Sequence, residues 1–257
     1  MTTPDRHPHP PSVRLVGGGR DTELTVPLFT EFVADVASRR THDGSGPRIH
    51  ALLVLEEDDD ETVERFRGLL ILAGGEVVVQ AIHEGESFER AAVDGADGLF
   101  VGGGLTPAYR DAFIPIAALV RELVAAGTPY LGFSAGAAIA AEHALIGGNC
   151  IDGVPVCDED AGEELVDVTV ASGLGLVPFT VDVHAAQWGT VSRLTAAVCA
   201  GLTESGIAID EHTSLHWHGN DAESSPIVAG RGSAWSATVD PERPDRAAVH
   251  RVTAAPR

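Results

Sequence analysis

The sequence predicts an α/β fold: three layers, doubly wound around a mainly parallel sheet. Three observations predict it. Short β-branched runs alternate with amphipathic helical stretches, the connections between them are short, and strand candidates run directly into glycine turns. Strand–helix–strand repetition of this kind gives a parallel sheet covered on both faces. Ligands of such sheets bind beyond the carboxyl ends of the strands. Function is therefore expected around Gly17–Gly19, Gly102–Gly104 and the turn after Phe133.

The elements follow in order. VRLV (13–16) is a strand ending in Gly17, Gly18 and Gly19, and residues 24–39 place Leu24, Leu28, Phe32 and Val36 near helical spacing. THDGSGP (41–47) is a loop by composition, and IHALLVL (49–55) a buried strand. The acidic run EEDDDE (56–61) falls where a helix begins, with Val63, Phe66 and Leu70 as its buried stripe. Carboxylates there cap free amides and complement the helix dipole, whereas a cation cage needs ligands that converge. EVVVQAI (76–82) is the third strand, followed by a short helix near 87–94. DGLFVGGG (97–104) is a fourth strand with a glycine turn, 107–126 a long helix, and PYLGF (129–133) the fifth strand.

Beyond residue 145 the pattern loosens. The glycine-rich, acidic stretch 146–178 reads as an excursion beside the sheet edge or over the site. Residues 181–202 turn from strand to helix, and GIAID (206–210), SLHW (214–217), PIVAG (226–230) and SAWSATVD (233–240) are strands. The expected organisation is a disordered tail over 1–12, a single α/β domain over 13–240, and a C-terminal tail over 241–257 with its last dozen residues frayed.

Composition excludes several classes. The chain of 257 residues carries 17 basic side chains, none of them lysine, against 38 acidic ones, a net charge of −21. Nucleic acid is not an expected partner, because phosphate contacts need clustered cations. An apolar content of 44% is too high for a disordered chain, and no uninterrupted apolar run is long enough to span a membrane. MTTPDRHPHPPS has no apolar centre and does not read as a secretory signal. Cys150, Cys157 and Cys199 are odd in number and lack CxxC spacing, so neither a disulfide framework nor a zinc site is expected and the compartment reads as cytoplasmic.

The sharpest motif is Gly132-Phe133-Ser134-Ala135-Gly136, a G-x-S-x-G turn between a strand and an alanine-rich stretch. A turn this tight strains the serine backbone and leaves no room for a β-carbon at either glycine, so the hydroxyl stands exposed above the sheet. The plainer reading is a helix start with a serine cap. A serine needs a base held by a third group. Of the 11 histidines, His7 and His9 lie in the proline-rich tail and His42 in a loop. His143 falls on the helix expected after the turn, pointing away, and His216 and His218 lack a third ligand. His184 stands at a strand end ahead of a helix, where such sheets keep their chemistry. For the orienting acid, Glu211 is preferred. Asp182, which alternation would set on the same face as His184, and Asp210 are second choices. The order serine, histidine, acid differs from that of α/β-hydrolases.

FVGGG (100–104), GFSAGA (132–137), VDVHAAQW (181–188), GIAIDEHTSL (206–215) and GRGSAWSATVD (230–240) together resemble the serine peptidase family of cyanophycinases and aspartyl dipeptidases (peptidase E). The resemblance implies a fold like that of class I glutamine amidotransferases, with serine in place of cysteine. It implies Ser134 as nucleophile, His184 as general base and Glu211 as third group, with amides of Gly103 or Gly104 and of Ala135 as the oxyanion hole. A homodimer, a small peptide or amide substrate, and no metal or organic cofactor are further implications. Where cyanophycinase-like members read DQHF followed by SQRGR, this chain has Val183 for the glutamine and Trp188 and Thr190 for two arginines, and Leu105 follows the glycine turn. Val183, Gln187 and Trp188 are the expected substrate-binding positions, lining a more apolar pocket because bidentate arginine recognition is gone. The alternative is a catalytically silent binding module on the same scaffold.

Overall fold

The computed structural model describes residues 9–39, 46–56, 59–219 and 226–254. In chain order its elements are β1 (Val13–Val16), α1 (Thr22–Arg39), β2 (Arg48–Leu55), α2 (Asp60–Leu72), β3 (Glu76–His83), β4 (Gly98–Val101), α3 (Thr106–Phe113), α4 (Ala117–Ala125), β5 (Tyr130–Phe133) and α5 (Ala135–Ala138). There follow β6 (His143–Gly147), β7 (Cys150–Ile151), β8 (Val154–Pro155), β9 (Thr169–Ser172), β10 (Thr180–Val183), α6 (Thr190–Cys199), β11 (Ser205–Ile209), β12 (Thr213–Trp217), β13 (Ile227–Gly230), β14 (Ser233–Asp240) and β15 (Arg243–Thr253).

The central sheet has seven strands in the order β13-β12-β1-β5-β4-β2-β3. The five strands from β1 to β3 in that order pair in parallel, while β12 and β13 close one edge antiparallel. Alternating side chains supply both faces, as the pleat requires. Ala51, Leu53 and Leu55 pack under Phe29 and Phe32 of α1 and Phe66 of α2. Leu52 and Val54 pack with Tyr109 and Phe113 of α3, Val120 of α4 and the alanines of α5. This is the three-layer arrangement that two-sided burial of the strands predicts.

The departures have local causes. The helix expected over 107–126 is broken into α3 and α4 by a 3₁₀ turn at Ile114–Ile116, where Pro115 has no N–H to donate. Near 87–94 only a 3₁₀ turn at Arg90–Ala92 forms. α5 is a single turn, so His143 begins strand β6 instead of lying on a helix. The later strands do not all extend the central sheet: β10, β11, β14 and β15 build a second one. Its β10 and β11 are parallel and the rest antiparallel, with Leu194 and Val198 of α6 packed on Ala208 and Ala237. The C-terminal tail is likewise corrected, because β15 pairs with β14 as an ordered strand.

At the other end, residues 9–12 are held in place: Ser12 is fully buried and Pro10 O accepts from Arg39 Nη1 at 2.6 Å. In the acidic run, Asp59 caps α2 by accepting from Thr62 N at 2.9 Å. Glu57 and Asp58 lie outside the described residues, as do His7, His42 and 41–45 of the expected loop. Among the described residues, no helix is long and apolar enough to cross a membrane.

Candidate active site

The carboxyl end of the central sheet converges on one turn. β5 stops at Phe133, Ser134 takes φ 52° and ψ −112°, and α5 starts at Ala135. A positive φ at a serine is strained and persists only where the surroundings fix it. Here they do: Ser134 N donates to Val16 O at 2.9 Å, Gly136 N to Gly102 O at 2.9 Å, and Tyr130 Oη to Gly136 O at 2.7 Å. A β-carbon on Gly132 would meet Gly136 O at 2.3 Å, and one on Gly136 would meet Val101 O at 2.3 Å. Both glycines of the motif are therefore required by packing.

Gly103 lies so close to this turn that a β-carbon on it would stand 2.9 Å from Ser134 Cβ. The first amides of a helix have no intrahelical partner, which leaves Ala135 N as a donor at the same place. Gly103, Gly104, Ser134 and His184 all line the same cleft.

His184 and Glu211 arrive from the second sheet. β10 ends at Val183 and His184 adopts φ 54°, with its N–H donating to Gly17 O at 2.9 Å. The glycine turn after β1 receives it: at Gly18 a β-carbon would lie 2.2 Å from the imidazole. Ser134 Oγ is 2.9 Å from His184 Nε2, and His184 Nδ1 is 2.8 Å from Glu211 Oε1. Ser134 is 9% exposed, enough to open on the cleft. Burial pulls the His184 pKa below its ordinary value, against the hydrogen bond and charge of Glu211 and the charge of Asp182, which raise it.

The second-choice acids do other work. Asp182 is buried and holds Arg193 by two contacts, at 2.7 and 3.0 Å. The expected shared face with His184 fails because the positive φ of His184 turns it out of the strand. Arg193 is also buried; burial opposes its charge, but Asp182 more than compensates and its pKa rises. Its Nη1 donates to Ala161 O and to Gly148 O, tying the 146–178 excursion to β10. Asp210 accepts from Ala186 N at 3.0 Å, Trp235 Nε1 at 3.0 Å and Ser233 N at 2.8 Å. Neither acid has a hydrogen bond to His184.

The three expected substrate-binding positions separate. Val183 is buried in the main core cluster and does not line the cleft, which corrects its assignment. Gln187 Oε1 accepts from Glu211 N at 2.9 Å, so it holds the acid's backbone. Trp188 does line the cleft, stacked on His184 with ring centroids 3.9 Å apart and planes 12° from parallel.

The cleft, of about 1140 Å³, also contains residues that pattern reading missed. The excursion contributes Glu159, Asp160, Glu163 and Glu164 to its rim, and Glu163 docks by accepting from Thr106 N at 2.8 Å. Burial raises the carboxyl pKa of Glu84 and of Glu163, with Glu56 and Glu164 adding to the effect at Glu84. Against these stands Arg65, whose Nη2 donates to Gly19 O at 2.7 Å and whose guanidinium lies over the rings of Phe66 and Phe133. Among the described residues no carboxylate pairs with it, and burial followed by the charge of Arg20 lowers its pKa. Its only sequence signal was a cation beside the apolar stripe of α2. Among the described residues, no group of three His, Cys, Asp or Glu side chains could hold a metal ion.

Comparison with known proteins identifies a family and a fold. The model of peptidase family S51 matches residues 53–225. Peptidase E of Shewanella denitrificans is 43% identical over 70 residues, which is 26% of this chain and 29% of that protein, so the match spans under a third of that relative. A peptidase from an acI-B1 Actinobacterium superposes with a TM-score of 0.58 at 16% identity, over 97% of this chain and 96% of that one. A Peptidase E candidate from Listeria monocytogenes EGD-e gives 0.56 at 20% identity, over 87% and 100% respectively. At these identities the two structures show the fold.

Proposed function

The chain belongs to peptidase family S51, and we propose that it is a serine-type peptidase cleaving a peptide or amide bond of a small peptide-like substrate through Ser134, His184 and Glu211. The observation that carries this reading is the unbroken hydrogen-bonded chain from Ser134 Oγ through both imidazole nitrogens to Glu211 Oε1, at 2.9 and 2.8 Å. Ser134 Oγ attacks the scissile carbonyl as its proton passes to His184 Nε2. Glu211 holds the ring by its Nδ1–H and stabilises the imidazolium. The negative oxygen of the tetrahedral intermediate is bound by amides of Gly103 or Gly104 and Ala135, which face the serine across the turn. The imidazolium then protonates the departing amine, and water repeats the sequence to release the acyl group. Because burial lowers the His184 pKa, the base is neutral and competent at pH 7.

The cleft also bears on the substrate. Trp188, Phe133 and Phe66 give it apolar walls, and the many rim carboxylates repel anions. Two cations, Arg20 and Arg65, also line the cleft; Arg65 is half-buried with no carboxylate paired to it among the described residues, and such a group gains from a carboxylate brought by the substrate. The reading is therefore of a short peptide whose carboxylate reaches Arg65, with an apolar group near Trp188.

A panel of dipeptides and tripeptides, each with a free or an amidated carboxyl group and with aliphatic or aryl side chains, tests it. Release of amine by the wild-type protein, abolished in Ser134→Ala and weakened by amidation, is the expected result. No turnover across the panel, with Ser134→Ala indistinguishable from wild type, would instead support the silent binding module.

A further inference from the structure

The stacking of Trp188 on His184 is not explained by substrate binding. One face of the indole is covered by the imidazole at 3.9 Å, yet the residue remains 40% exposed. The stack is built into the backbone. Trp188 N donates to His184 O at 2.8 Å, closing residues 184–188 into one turn. Ala185 N reaches Ile209 O at 3.1 Å, Ala186 N reaches Asp210 Oδ1 at 3.0 Å, and Gln187 Oε1 receives Glu211 N at 2.9 Å. The turn that carries the base is thus fastened to the segment that carries the acid, and it returns the indole over the ring in between.

We propose that Trp188 is a positioning residue for His184: its indole holds the imidazole in the plane that reaches both Ser134 and Glu211, and its π face stabilises the imidazolium formed in the reaction. The second half rests on the peptidase reading above. An aromatic face attracts a cation placed over it, more strongly when water is excluded. Three charged groups bear on the ring: Glu211 hydrogen-bonds it, Asp182 lies on β10, and Arg193 on α6. Glu211 and Asp182 favour the charged ring and Arg193 opposes it. Burial opposes it too, so the indole is the neutral cover that adds stabilisation rather than desolvation alone.

Two replacements separate the π face from simple cover. Trp188→Phe keeps an aromatic face over the ring, and Trp188→Leu keeps an apolar cover without one. Titration of the His184 ring by NMR, assigned against His184→Gln, is expected to give Trp188→Phe a pKa near wild type. For Trp188→Leu the expected value is lower by roughly half a unit to one unit. In turnover, Trp188→Leu loses roughly three- to tenfold in kcat with KM little changed, and Trp188→Phe restores most of it. Equal pKa values in the two variants, or a higher one in Trp188→Leu, would overturn the proposal. Should Trp188→Leu not fold, the wild-type protein carries the test. Contact with an imidazolium quenches indole emission, so the Trp188 component, taken as the difference from Trp188→Phe, falls with acidification. That fall is expected to vanish in His184→Gln, and emission independent of His184 would overturn the stack. Neither titration needs turnover, so a protein that hydrolyses nothing would still pass or fail.

Discussion

Ser134 and Ser12 each lie against the Nε2 atom of a histidine with a carboxylate in the same hydrogen-bonded group, but the wiring differs. At the cleft, Glu211 binds the far nitrogen of His184, so among the described residues the side-chain partner of Ser134 is the base. At the opposite end of β1, Ser12 Oγ donates to Asp35 Oδ2 at 2.5 Å and lies 2.8 Å from His216 Nε2. With its proton given to Asp35, Ser12 accepts from His216, the reverse of the transfer a nucleophile needs. Ser12 is 0% exposed, whereas Ser134 sits on a strained turn at a cleft wall. Burial first, then Arg14 and His218, push the His216 pKa down to about 3, which makes it a poor base at any ordinary pH. Three residue types in proximity do not make a catalyst. The partner of each nitrogen, the strain of the serine and access to the hydroxyl decide it. The Ser12 cluster is a buried tie joining the N-terminal segment, α1 and β12.

The comparison breaks most visibly on paired substitutions. Ser134→Ala is expected to lower kcat by roughly 10³-fold or more with an unchanged melting temperature. Ser12→Ala is expected to leave kcat within about twofold and to cost about 1–3 kcal/mol of stability, because Asp35 and His216 lose a buried partner. Peptide turnover and thermal denaturation of both variants decide this together. Glu211→Gln comes next: kcat falls by roughly 10²- to 10⁴-fold, and the acid limb of kcat/KM moves to lower pH, since the lost charge had raised the His184 pKa.

A further consequence is an effect of pH on stability. His216 has a folded-state pKa of about 3 against about 6.5 unfolded. The unfolded chain therefore binds the proton first, and the tie's contribution is full above about pH 6.5 and lost as pH falls toward 3. Denaturant unfolding across that window should show this slope in wild type and a weaker one in His216→Gln.

Much of the fold was legible in the sequence because the parallel strands are buried on both faces, and such runs stand out whatever their neighbours. Ser134 was legible because steric demands at Gly132 and Gly136 leave a motif. His184 and Glu211 were read as strand-end residues, and the structure brings the His184 ring within hydrogen-bond distance of both Ser134 and Glu211. What stayed hidden depended on pairing. Alternation in β10, β11 and β14 does not say which sheet they join, and β15 looked like a tail because its apolar residues are few. Alternation also placed Asp182 beside His184, which a single positive φ undid. Val183 was read as pocket and is core, while Arg65 gave no pattern because what marks it is that no carboxylate among the described residues pairs with it.

The most direct measurement is labelling of the wild-type protein with a fluorophosphonate, followed by mass-spectrometric mapping of the adduct. The account predicts a single modified residue, Ser134, with Ser12 untouched and labelling lost in His184→Gln. A protein that takes up no label at Ser134, or takes it up equally without His184, would contradict it.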